Sequence, residues 1–177
     1  MNYQDDADLP QFPSEAACEA AGIDSATLKN WISRKPSAVM IGENERVKAG
    51  NKTTYRFSLR RVLQLTITAE LVRLGYGPGD ASLHAARFTD PEPGSLPGRT
   101  AHQIGELYRK NFTLLLIYPG GHSDVVNVKA DDAWRIVMRA GLAAGRQPAA
   151  TIVNLNDIDR HVRTTLGLPL TARDWAV

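Results

Sequence analysis

Cysteine is nearly missing: Cys18 is the one cysteine in 177 residues. A single thiol cannot close an intramolecular disulfide, which suits a reducing compartment. Nor can it supply the thiolate set of a structural zinc site or of a thiol-based metal sensor. Histidine is sparse too, and His84, His102, His122 and His161 lack metal-ligand spacing, so neither a metal site nor a cofactor is expected. No apolar run approaches the roughly 20 residues that a membrane-spanning helix needs. The opening MNYQDDADLPQ carries no basic, apolar leader pattern. A cytoplasmic protein without membrane contact is therefore expected. Repeats and low-complexity tracts are absent, and residues 1–10 are expected to be disordered. The chain has no large charge surplus, with 21 Lys and Arg against 19 Asp and Glu, and that net +2 is silent about nucleic acid.

What is present begins with ACEAAGIDSATLKNWISR at residues 17–34. Ser14 can cap a helix through Ala21, and Gly22 follows where the left-handed conformation that ends a helix is cheap only for glycine. Ile23 plugs the turn, and Asp24 or Ser25 caps a second helix within a few residues. This is a helix-turn-helix pattern. Leu28, Trp31 and Ile32 form its apolar stripe, and Cys18 falls where the helix crossing needs a small side chain. On the opposite face Ala26, Lys29, Asn30 and Ser33 follow helical spacing, with Ser25, Thr27 and Arg34 beside them. Basic, amide and small side chains together suit a helix that reads base edges in the major groove.

Charge is unevenly spread. From Ser25 to Arg61 there are nine basic residues against Glu43 and Glu45, a net of +7, so the remainder of the chain sums to −5. Such a concentration around one candidate groove-reading helix is the footprint of a phosphate-binding surface. Pro36 closes the second helix, and Ala38-Val39-Met40-Ile41 reads as a short strand. GENERVKAGNKTTYRF then makes a turn-rich excursion and returns as a strand with Tyr55 and Phe57 on one face and Arg56 on the other. That is a wing, with Arg46, Lys48 and Lys52 placed to touch phosphates, contacts that position without specifying.

LKNW at the end of the helix-turn-helix, TYRFS closing the wing, and LRRVLQLTITAELVRLGYGP after it together resemble the DNA-binding domain of the MerR family of transcriptional regulators. The resemblance covers roughly residues 11–88. It implies a winged helix-turn-helix that binds double-stranded DNA as a homodimer, with Lys29 at the family's basic recognition-helix position and Asn30 at an aromatic one that often touches the backbone. Arg46, Lys48 and Lys52 match its wing positions. The chain departs from the family in a longer wing and in Leu59-Arg60-Arg61 where an acidic helix start is usual. Two arginines there oppose the helix dipole unless an anion lies near, which suits a DNA-facing helix start and adds Arg56 and Arg60 to the candidate contacts. No long heptad-patterned helix follows, which argues against the family's coiled-coil dimer and its untwisting of promoters.

The helix from Ser58 to Leu74 is apolar around most of its circumference and ends at Gly75, so it is expected to be a central core helix, buried within the domain or sharing in a dimer interface. Pro78 starts another helix through Phe88. TDPEPGSLPGRT, residues 89–100, reads as an interdomain linker. Beyond it a small α+β domain is expected over residues 101–177. It would comprise a helix over Ala101–Lys110, a hairpin of Phe112–Tyr118 with Val125–Val128, and a helix from Asp131 or Asp132 using Trp134, Ile136, Val137 and Leu142. A third strand at Thr151–Val153 and a last helix capped by Asn156 and ended by Gly167 complete it.

The fold class expected is thus mixed: an N-terminal winged helix-turn-helix, mainly α with a β wing, and a C-terminal α+β domain with a three-stranded sheet. His122 with Asp124, and Arg160-His161, allow an acid–base pair to be imagined, but turn and surface roles explain them, and no catalytic residue is assigned. The function expected is that of a sequence-specific regulator, repressor or activator, whose second half serves dimerisation or contact with RNA polymerase or an effector. Two alternatives stand: an excisionase-like architectural protein that bends DNA for a mobile element, and a ligand sensor or enzyme in the second half, tethered to DNA by the first.

Overall fold

The computed structural model describes residues 6–34, 37–39, 41–49, 52–90, 104–129 and 150–170. Among these the chain is a mixed α/β fold with five α-helices and two small three-stranded antiparallel sheets. The order is β1 (Phe12–Pro13), α1 (Ser14–Ala21), α2 (Ser25–Ser33), a 3-10 turn (Glu43–Glu45), β2 (Arg46–Ala49), β3 (Lys52–Phe57), α3 (Leu59–Arg73), α4 (Pro78–Thr89), β4 (Phe112–Ile117), β5 (Ser123–Val128), β6 (Thr151–Asn154) and α5 (Leu155–Leu166). Among the described residues no helix is long and apolar enough to cross a membrane.

The first helix pair follows its local chemistry closely. Phe12 and Pro13 pair with β3 and run straight into α1, so Pro13 occupies the cap position. Ser14, expected as the cap, is instead the first helical residue, and the helix start has no side-chain cap. At the other end Gly22 adopts φ 61°. Its N–H donates to Glu19 O at 3.1 Å while Ile23 N–H donates to Cys18 O at 3.0 Å, the paired closure that a left-handed residue permits. Asp24 then caps α2 by accepting from Thr27 N–H at 2.6 Å. Leu28 and Trp31 are buried against the core and Ile32 is half-buried.

The strand expected at Ala38–Ile41 does not form. Ala38 and Val39 are both buried in a bend, so the alternation that a strand needs is absent, and Ala38 N–H donates to Trp31 O at 3.0 Å. Pro36 and Met40 lie outside the described residues. The first sheet therefore recruits β1 rather than that segment, in the order β1-β3-β2.

Helix α3 is buried on nearly every side, contacted by α1, α4, α5 and β3 of the same chain. Its buried hydroxyls are satisfied within the helix, Thr66 donating to Val62 O at 2.9 Å and Thr68 to Gln64 O at 2.7 Å. In the second sheet β4 is central, paired with β5 on one edge and β6 on the other, which explains its apolar run Leu114–Ile117. Leu115 and Ile117 join the main core, and Leu114 and Leu116 join Tyr118 and Val128 in a second cluster on the other face.

The main core crosses the expected interdomain boundary: Phe57, Leu63 and Phe88 share one buried cluster with Leu115, Val153, Val162 and Leu166. Helix α5 lies against both α1 and α3. Of the expected linker, Thr89 ends α4 and Asp90 follows it, while residues 91–100 lie outside the described residues. So does the helix expected from Asp131 to Leu142, and so do residues 101–103. Residues 104–110 are not helical as expected. Gly105 takes φ 68° and its N–H donates to Phe88 O at 2.8 Å, pinning a turn against α4. Asn156 is not the cap of α5 either: Asn154 accepts from Asn156 N–H at 3.1 Å. Asn156, 3% exposed, uses its own Oδ1 to accept from Thr113 N–H at 2.7 Å, tying α5 to β4.

Candidate nucleic-acid interface

The outward face of α2 is composed as its spacing requires. Ser25, Ala26, Lys29, Asn30, Ser33 and Arg34 are exposed and Thr27 is half-buried, opposite the anchored Leu28 and Trp31. Hydrogen bonds from the Thr27 backbone N–H first, and from its side chain second, hold the Asp24 carboxyl below the usual carboxylate range, so the cap stays ionised near neutrality. Burial first, and Asp24 second, pushes the Cys18 thiol up, leaving it a protonated packing group.

The β2–β3 hairpin supplies a second exposed basic element. Arg46 lies opposite Tyr55 and Lys48 opposite Thr53, so all four side chains share one face of the ribbon. Toward the root of that face Tyr55 stacks on buried Phe57 with ring centroids 6.2 Å apart. Among the described residues the side chains of Lys29, Arg34, Arg46 and Lys48 enter no ion pair. Lys52 opens β3 opposite Ala49, and its side chain lies outside the described residues. Helix α1 carries both elements, packing on α2 and on β3.

Arg56 and Arg60 are placed elsewhere. Arg56 Nη1 donates to Gln11 O at 3.0 Å, and Arg60 Nη2 pairs with Asp8 at 2.8 Å while its backbone N–H donates to Ala7 O at 3.1 Å. Residues 7–11, which include part of the stretch expected to be disordered, thus run along β3 and the start of α3 and take up both arginines.

The anion that the arginine-rich start of α3 called for is Glu45, 3% exposed. Its Oε1 accepts from Ser58 N–H at 3.2 Å and from Ser58 Oγ at 3.3 Å. Its Oε2 accepts from Gly42 N–H at 2.9 Å and from Arg61 Nε at 3.4 Å. An internal carboxylate therefore answers the helix dipole where a phosphate was expected. The sequence signal existed, one of only two acids within a basic segment, yet its pairing spans 16 residues to Arg61.

Of the histidines, His122 is exposed and stacks on Tyr118 at 6.1 Å, and His161, also exposed, turns its Nε2 to Ala20 O of α1 at 3.1 Å. Buried His84 bonds Ser123 Oγ through Nδ1 at 3.0 Å and meets Tyr76 edge-on, joining α4 to β5. Among the described residues no three His, Cys, Asp or Glu side chains converge as a metal-holding group. No family model matches the chain, and no curated protein matches it.

Proposed function

We propose that the protein is a sequence-specific, double-stranded DNA-binding regulator built on a MerR-like winged helix-turn-helix. Helix α2 enters the major groove, and the β2–β3 hairpin lies on the sugar-phosphate backbone as the wing. One observation carries the reading: α2 is locked from behind by Leu28 and Trp31 while Lys29, Asn30, Ser33 and Arg34 stand exposed together. A helix held rigidly by its apolar side with basic and amide groups outward meets the steric and hydrogen-bonding demands of base readout. Arg46 and Lys48 add sequence-independent attraction to phosphates. Arg56 and Arg60, occupied within the chain, are assigned no direct role. The protein acts as a homodimer on an inverted repeat, and residues 101–177 serve the dimer or an effector or polymerase contact.

The test is selection of bound duplexes from a random pool at moderate salt, with Lys29→Ala beside the wild type. Enrichment of an inverted repeat that the variant no longer prefers is the expected result. Binding without any enriched sequence would reassign the hairpin and helix to backbone docking, and no binding at all would remove the reading. Circular-permutation gel shifts separate a regulator that leaves DNA straight from an excisionase-like bender.

A further inference from the structure

The last four carbonyls of a helix have no partner inside it, and at the end of α1 each can be accounted for. Cys18 O and Glu19 O accept from Ile23 and Gly22 N–H through the turn itself. Ala21 O accepts from Arg73 Nη2 at 3.1 Å, and so does Gly22 O at 3.0 Å. Ala20 O takes its bond at 3.1 Å from His161 Nε2, with Thr66 Oγ1 at 3.4 Å beside it. The turn that launches α2 is therefore latched from outside by two long side chains, Arg73 from α3 and His161 from α5. Arg73 lies close over the turn, its Nη2 2.7 Å from where a Cβ at Gly22 would stand, while the φ of 61° is what holds glycine at that position. The two latches differ in origin, for α3 belongs to the same half as α2, whereas α5 lies in the second half.

We infer that His161 is a positioning residue for α2, and that the second half governs DNA reading by pressing α5 and its His161 onto the carbonyl end of α1. The inference rests on the assignment of α2 as the reading helix. The imidazole acts as a donor, and Nε2–H is present in both the imidazolium and the Nε2-protonated neutral ring, so the latch holds in either charge state. A cationic donor there would also meet the negative end of the α1 dipole. A displacement of α5, by an effector or a partner on the second half, would remove the shorter of the two bonds to Ala20 O, leaving only the 3.4 Å contact from Thr66 Oγ1, and loosen the Gly22 turn. Fewer molecules would then hold α2 in its reading posture, and apparent affinity falls in proportion to that fraction.

The experiment uses the full chain with His161→Ala and His161→Gln, the glutamine keeping an N–H donor. Amide hydrogen exchange is read over residues 22–30, with α3 and β4 as internal references, and duplex affinity is read on the sequence selected by the wild type. The expected result is faster exchange across the turn and α2 in His161→Ala with α3 unchanged, a loss of duplex affinity of about threefold to tenfold, the worth of one hydrogen bond, and recovery of both in His161→Gln. Unchanged exchange in His161→Ala overturns the latch whatever the DNA does. Faster exchange with unchanged duplex affinity overturns the positioning role while leaving α2 as the reading helix. A wild type that selects no duplex defeats the DNA-reading assignment itself and with it the inferred control, and the exchange result then stands as a statement about the turn alone.

Discussion

Two sets of basic residues lie within one short stretch of chain, and the fold treats them oppositely. Lys29, Arg34, Arg46 and Lys48 are exposed and unpaired among the described residues. Arg56, Arg60, Arg61 and, further on, Arg73 are spent on Gln11 O, Asp8, Glu45 and the carbonyls ending α1. The first set can offer its charge to a partner, while the second serves as internal fastening for the elements that present the first. Net positive charge over a segment is thus an upper bound on what a partner meets. The decisive quantity is how many guanidinium and ammonium groups lack an acceptor in the same molecule.

The largest effect that would test this contrast is loss of Glu45. Removing one partner of a buried ion pair leaves the other uncompensated, so Glu45→Ala should cost roughly 3 kcal/mol in denaturant unfolding. Little change would mean that Arg61 and Ser58 are not fastened by it. Next is Lys29→Ala, expected to leave stability within about 0.5 kcal/mol yet to weaken the selected duplex by roughly 1–3 kcal/mol and relax its sequence preference. A variant that bound every duplex as the wild type does would move Lys29 out of the reading face.

A smaller effect is expected at His84, where burial is the main cause that lowers the imidazole pKa, with Asp80 opposing it and Arg87 adding to it. The folded-state value lies below the unfolded one, so the unfolded chain binds the proton more readily and stability falls with falling pH. The contribution is complete above the ordinary histidine value of 6.5 and is lost as pH drops toward the depressed one. Unfolding followed across that window should show a slope that His84→Gln diminishes; an identical slope would assign the pH dependence to other groups. Smallest is Asp8→Asn. Asp8 is 69% exposed, so its pair with Arg60 should contribute about 0–1 kcal/mol. Duplex binding should stay unchanged, and a clear gain would promote Arg60 to the contact surface.

Local chemistry made much of this legible in advance. Gly22, Gly75, Pro78 and Gly167 punctuate helices through their own backbone preferences, and Asp24 and Ser58 through side-chain oxygens that accept from Thr27 and Arg61 N–H. The apolar stripe of α2 was readable because burial of one side imposes a helical period, and the Leu114–Ile117 run of β4 because both faces of that strand are buried. The misreadings share one cause. Ala38–Val39 has strand composition but both residues are buried in a bend, and Asn156 looks like a cap but is claimed by Thr113 N–H across the chain. Composition suggests what a residue can bond, and a distant partner decides what it does bond.

By itself the sequence determined the helix ends at Gly22, Asp24, Gly75, Pro78 and Gly167, the polar face of α2 and the hairpin pairing of β2 with β3, since each depends on interactions within a few residues. Only tertiary structure decided which arginines remain available, that Glu45 stands at the start of α3, and that His161 reaches back to Ala20. It also merged the two halves into one core across the Pro- and Gly-rich connection. Those outcomes join residues separated by 16 to 141 positions. Such contacts form only when the whole chain has closed around α3, and no local preference encodes them.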